Sequence, residues 1–406
     1  MDGVAVTFRL WSDGRPVPLG ATPLSLLAAM LVLGCSGAPR SAGDGGPEGG
    51  QAGRSSPVGG SRGTAGVAGT AGAAGAAGAG TSGDAGAAAA ISLCSLSVND
   101  IIADQTRDIF YVSVRSDSPT NAGSIAALAP SDGTVLWTMA MPDEPDRLAI
   151  SDDGALLYVG DYDVAPGTVR RIDLATRTVD LQFQVGSIAQ DGTFPMVPAP
   201  GVSGIAVLPG SPHTIVGVLT DLTQDGDDAV AVFDDGVRRP DVFRSSVSSI
   251  QLADAITVYT FDSYFTGGDM YVLNVTATGL TEVGYFGSVF ADFTPDFRYE
   301  GGWLFGEDGT VFDPTSGKTV GSYTSSPGGP VVADSAIDRT YILRNNVGGL
   351  GVFVRNTFSL IQVVDLPFRP TLFVRIVRAP DGTLGANIES AAQVVCPVLF
   401  PPSLLQ

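Results

Sequence analysis

The chain has 406 residues, 44% of them hydrophobic, with 53 Gly, 27 Pro and a formal net charge of −20. That supplies enough apolar surface for one large β domain or two smaller ones. Residues 1–90 are neutral, so the excess of 37 acidic over 17 basic groups falls in residues 91–406; such a domain repels phosphate backbones and anionic headgroups, which excludes nucleic acid from its expected partners.

Leu19 to Leu33 is an apolar run preceded by Arg9 and Arg15 and interrupted by Gly20 and Pro23. It is short for a membrane span and reads as the apolar core of a secretory signal. Val32-Leu33-Gly34-Cys35 ends it and resembles the bacterial lipobox, in which a small residue precedes a cysteine that is lipidated and becomes the new N-terminus. Residues 1–35 are therefore expected to be a lipoprotein-type signal with Cys35 as the lipid-attachment residue. Ordinary cleavage and secretion is the alternative. Ser36, rather than Asp, follows the cysteine; by the sorting rule of the resembled lipoproteins this implies the outer membrane.

Residues 36–90 hold 18 Gly, with most other positions Ala, Ser, Thr or Pro. A segment so poor in large apolar side chains cannot offset its chain entropy and is expected to be a disordered linker. Gly falls every third residue from Gly63 to Gly78, but no proline intervenes, which argues against a collagen helix. As a Gly-rich coil the linker would span about 40 Å.

From Ile91 onward the chain repeats. The cleanest copy, Pro145 to Gly186, reads as four short strands: Leu148 to Ile150, Leu156 to Val159, Val169 to Asp173 and Val179 to Val185, with a turn at Ser151-Asp-Asp-Gly154 and a loop from Asp161 to Gly167. Its first half recurs seven times, beginning near Asp100, Asp146, Ser203, Ser248, Phe297, Gly329 and Thr371, and its second half six times. Six intervals separate Ile101 from Leu372, about 45 residues each, the period of a four-stranded propeller blade. The expected fold is an all-β, seven-bladed β-propeller of four-stranded antiparallel blades over residues 91–400, with 401–406 a C-terminal tail.

The seventh copy lacks a fourth strand, and one unassigned strand, Ile91 to Val98, precedes the first. An N-terminal strand that completes the last blade would remove two free sheet edges. Cys94 lies in that orphan strand and Cys396 in the last strand. With Cys35 assigned to lipid, these two are expected to form a disulfide that closes the ring, since disulfides persist in exported proteins.

The segments LAISDDGALLYV and VRRIDLATRTV resemble the YVTN-type propeller repeat, and IAALAPSDGTVLWT resembles the quinoprotein-like repeat, although Trp137 is the one tryptophan at its position in the six copies. The broader resemblance is to the YVTN/quinoprotein-like seven-bladed superfamily. It implies the fold and leaves the chemistry open, because that superfamily hosts both enzymes and binding modules.

Candidate chemistry is sparse. His213 is the single histidine and lies in a turn, so no catalytic triad or multi-His metal site can be built. Asp221, Thr223, Asp225 and Gly226 match the first half of a calcium loop, but Ala229 and Val232 stand where further ligands belong. Calcium is thus a candidate ion, and no other cofactor is expected. Asp161 and Asp163, and Asp143 and Glu144, are paired carboxylates that could serve glycoside cleavage or metal binding, and read more simply as loop caps. Asp-Gly pairs at 132–133, 153–154, 235–236, 308–309 and 381–382 read as hairpin turns. Tyr111, Tyr158, Tyr341 and Trp303 recur at comparable strand positions, which argues for packing between blades. Phe194, Met196, Tyr264 and Phe265 are candidates for an exposed binding patch.

The function these observations support is a monomeric cell-envelope lipoprotein whose propeller acts as a non-enzymatic binding or scaffold module for a protein or polysaccharide. A metal-assisted, lactonase-like hydrolase or lyase with carboxylates around the axis is the alternative. No catalytic residue and no metal ligand is assigned.

Overall fold

A computed structural model describes residues 11–12, 15–16 and 89–406, except 164, 191–194, 224–227, 263–267, 292–295, 324–327, 345–347, 367, 369 and 391–393. Cys35, Asp225, Gly226, Phe194, Tyr264 and Phe265 lie outside the described residues, as does the linker except for its last two residues. Trp11–Ser12 and Arg15–Pro16 form a two-residue antiparallel pair.

Seven antiparallel sheets follow one another in chain order. Blade 1 comprises Val98–Asp104, Ile109–Val114, Ser124–Leu128 and Val135–Ala140, and blade 2 Arg147–Ile150, Leu156–Gly160, Thr168–Asp173 and Thr178–Gln184. Blade 3 has Gly201–Val207, Thr214–Thr220 and Asp228–Asp234, with an outer strand split into Val237–Arg238 and Phe243–Ser245. The split falls at Pro240, which has no N–H to give the ladder and is tolerated at a sheet edge. Blade 4 holds Ser249–Leu252, Thr257–Asp262, Asp269–Thr276 and Gly279–Phe286; blade 5, Phe297–Glu300, Trp303–Gly306, Thr310–Asp313 and Lys318–Ser322; blade 6, Val331–Asp334, Arg339–Leu343, Leu350–Val354 and Leu360–Val364. Blade 7 takes Pro370–Arg378, Leu384–Ser390 and Val395–Phe400 from the C-terminus and Ile91–Ser92 from the N-terminal side.

The ring therefore closes as expected, but with a shorter strand. Ile91 pairs Leu399 and Ser92 pairs Val398, and Leu93 N donates to Pro397 O at 2.9 Å. The chain then turns, with Leu96 N donating to Leu93 O, and Val98 already opens the first strand of blade 1. The expected Ile91 to Val98 strand cannot run on, because its second half must redirect the chain into the next blade. Cys94 sits at that turn and is bonded to Cys396, 302 residues away in sequence.

There is no single core. Each of the seven gaps between blades holds its own cluster of buried apolar side chains. Tyr111 packs in the gap between blades 1 and 2, Tyr158 between 2 and 3, and Tyr341 between 6 and 7, as their recurrence indicated. Trp303 borders the gap between blades 5 and 6, with the Arg355 guanidinium 4.2 Å above its ring. Leu405 also joins the gap between blades 6 and 7, just after a short 3-10 turn at Pro402–Leu404. Fully burying one such side chain contributes about 2 kcal/mol. The outer strands of blades 1 and 2 alternate between exposed and half-buried positions, as edge strands at a rim should.

The two faces differ. Connections from first to second strand and from third to fourth strand span two to six residues and form a tight turn face. The glycines of all five Asp-Gly pairs have positive φ there or at the opposite end of blade 5. The other, loop face carries the longer connections, including 115–123, 185–200 and 287–296.

Candidate functional site

First strands of neighbouring blades pack side by side around the central axis. At the turn face this arrangement leaves a cavity of about 410 Å³, bounded by blades 5, 6, 7 and 1. That volume is within the range of small-molecule sites. Ile102, Val332, Ile376 and Val377 form apolar wall, and Gln105, Arg298, Glu300, Asp334 and Arg378 supply the polar groups.

Most of these polar groups are held in place. Arg378 Nη1 lies 2.8 Å from Asp334 Oδ2, and Asp334 Oδ1 accepts the backbone N–H of Ala336 at 2.9 Å. Glu300 Oε1 accepts from Ser335 Oγ at 2.6 Å. Gln105 Nε2 donates to Arg378 O at 2.8 Å. Arg298 donates through Nη1 to Asp296 Oδ2 and to Phe297 O. Burial works against the Arg298 charge, but the carboxylates of Asp296 and Glu307 outweigh it and raise its pKa.

Toward the middle of the channel, Asp100 joins three blades. It is 1% exposed. Its Oδ1 and Oδ2 accept from Arg375 Nη1 of blade 7 at 2.7 and 2.6 Å, and Oδ2 accepts from Leu148 N of blade 2 at 2.9 Å. Nearer the loop face, Asp296 and Glu307 sit close to Arg298. Burial, with the Asp296 charge adding to it, pushes the Glu307 carboxyl up to about 8.

The residues singled out in the sequence are scattered around the ring. His213 is largely exposed on the turn face, its Nδ1 2.9 Å from Asp235 Oδ1 and 2.8 Å from Arg171 Nη1. Asp221 Oδ1 accepts from Thr223 N and Thr223 Oγ1 at 2.8 and 2.7 Å, so this part of the acidic loop is a closed local turn. Among the described residues no group of three His, Cys, Asp or Glu side chains is placed to hold a metal ion. Asp161 is buried against Arg170, whose Nη1 donates to it at 2.6 Å, and the same guanidinium contacts Asp143. Burial raises the Asp161 pKa to about 6; Arg170 opposes this, and Asp143 and Asp146 add to it. Glu144 accepts from Ser116 N and Asn99 Nδ2 at 3.0 and 3.2 Å. These carboxylates are caps and blade clamps rather than one converging set. Met196 is exposed on the loop face.

The groups that do converge were not identified from sequence: Arg298 and Glu300 in FRYE, Arg378 in VRIVR, Asp334 and Gln105. The available signal was Arg298, which stands where the matching first strands of blades 1 and 6 carry Ile102 and Val332; Glu300 matches Asp104 and Asp334 and does not stand out.

No protein-family model matches the chain, and no curated protein matches it. Among solved structures it is similar to the β-propeller domain of Cps50 (Swd1) from Myceliophteria thermophila, with 10% identity and a TM-score of 0.57 over 76% of this chain and 97% of that one. It is also similar to Kuenenia stuttgartiensis hydrazine synthase, with 14% identity and a TM-score of 0.53 over 74% of this chain and 95% of that one. At such identities the likeness is one of fold.

Proposed function

We propose that the chain is a cell-envelope lipoprotein, anchored through Cys35, whose propeller is a non-enzymatic binding module of the YVTN/quinoprotein-like kind for a protein or polysaccharide. One observation carries this reading. Three carboxylates on or next to the inner strands, Asp100, Asp334 and Asp296, are engaged by Arg375, Arg378 and Arg298. Carboxylates neutralised in this way are poorly suited to capture a metal or relay protons, whereas a cavity with fixed, partly unsatisfied polar groups is suited to recognition. The loop face, with its longer connections, offers a second recognition surface. The lipid claim is tested by labelling cells with a fatty-acid probe, which should mark the protein and fail to mark Cys35→Ser. The binding claim is tested by equilibrium binding of the full chain to purified envelope polysaccharides and surface proteins. Turnover of a lactone or glycoside by the pure protein, abolished by chelator, would overturn it.

A second reading, a metal-assisted hydrolase or lyase, is favoured by the Asp296, Arg298 and Glu307 group, where a carboxyl protonated near neutral pH could act as a general acid. Loss of that turnover in Glu307→Gln would support it.

A further inference from the structure

The axial cavity presents a cationic edge and an anionic oxygen that the fold leaves unjoined. Phe297 and Tyr299 face blade 4, with ring centroids 6.2 Å from Phe261 and 5.5 Å from Tyr259. Strand alternation turns Asp296, Arg298 and Glu300 to the opposite side, toward blade 6 and the axis. Two residues apart, Arg298 and Glu300 stand about 7 Å apart along the strand. They do not pair with each other: Arg298 pairs with Asp296 and Glu300 leans to Ser335. All the bonds Arg298 makes among the described residues leave through Nη1, so Nε and Nη2 remain as a planar donor edge. Glu300 Oε2 and Gln105 Oε1 remain as acceptors, since the side-chain bonds of these residues use Oε1 and Nε2.

We propose that this cavity binds a small α-amino acid as its zwitterion. The carboxylate bridges Nε and Nη2 of Arg298, in the bidentate geometry that guanidinium favours. The ammonium group donates to Glu300 Oε2, with Gln105 Oε1 a second acceptor. An apolar side chain lies against Ile102, Val332 and Val377. A simple anion would meet Arg298 but be opposed by Glu300. A simple cation would leave the Arg298 edge unmatched. A neutral sugar would hydrogen-bond both groups but return no charge to either. The zwitterion offers a carboxylate to the open edge of Arg298 and an ammonium to Glu300, the opposite charge in each case.

The inference rests on reading the axial cavity as a binding site, and its test separates the two. Titration calorimetry on the full chain would compare L-leucine with leucinamide, which lacks the carboxylate, and N-acetyl-L-leucine, which lacks the ammonium. Leucine should bind most tightly. Glu300→Gln, isosteric and at a half-buried position, should weaken leucine about tenfold or more and erase its advantage over N-acetyl-leucine. The proposal is overturned if alanine, valine, leucine and phenylalanine all give no binding at about 10 mM, a concentration that would more than half fill a millimolar site. It is equally overturned if leucine and N-acetyl-leucine bind alike. Binding to a protein or polysaccharide that persists alongside either result would remove the amino-acid inference and leave the binding module standing.

Discussion

Reduction of the Cys94–Cys396 bond should loosen the whole ring. The bond ties residues 302 apart, so in the unfolded chain it forbids nearly all separations of the two ends. By the chain-entropy relation a loop of this length removes about 19 cal/mol/K from the unfolded state, or about 6 kcal/mol at 25 °C. Unfolding about 300 residues releases roughly 0.6 kcal/mol/K near the midpoint, so the loss corresponds to a fall in Tm of about 10 °C. The measurement is calorimetry on the oxidised protein, the protein held in a non-thiol reductant, and the C94A/C396A double variant. The reduced protein and the double variant should melt together and well below the oxidised one. Each single alanine variant should match the double, since either removes the same bond. A shift under about 2 °C on reduction would refute the argument, and would mean that the short Ile91–Ser92 pairing already keeps the ends together in the unfolded ensemble.

Asp100→Ala removes the acceptor shared by blades 7, 1 and 2 and strands the partly buried Arg375 guanidinium, so chemical denaturation should show a loss of about 3 kcal/mol. The carboxyl of Glu307 keeps its proton to about pH 8 when folded and releases it near 4.5 when unfolded, so its contribution is full below pH 4 and is lost as pH rises through 8. Stability measured from pH 5 to 8 should therefore decline more steeply in the natural protein than in Glu307→Gln, by a difference on the order of a few kcal/mol; parallel profiles would contradict the burial argument. Gly279→Ala at φ +138 would put a methyl group 1.9 Å from the Asp241 carbonyl oxygen, where blades 3 and 4 meet through a backbone bridge, and should cost about 3 kcal/mol or more in the same denaturation assay.

The ring was legible because its signals are local and repeated. The Asp-Gly turns, the apolar strands and the spacing near 45 residues each restate one blade, and the two cysteines mark where the ends meet. What stayed hidden depends on closure. Arg298, Asp334, Arg378 and Gln105 belong to four different blades; Asp334 and Arg378 end their strands, Gln105 lies in the turn after its strand, and Arg298 stands inside its strand. Their convergence follows only once the first strands stand around one axis. The split outer strand of blade 3 was within reach, since Pro240 already forbids a continuous ladder there. The brevity of the Ile91–Ser92 strand was not, because it reflects where the chain must turn toward blade 1 rather than any residue preference.

The position of the disulfide also decides how the molecule carries load. A pull on the chain just before Ile91 against the C-terminus enters at Cys94 and leaves at Cys396, crossing a single covalent link near both ends. The 302-residue interval between them is mechanically bypassed. A pull applied between those two points would thus pass through the bond and leave the blades unstretched.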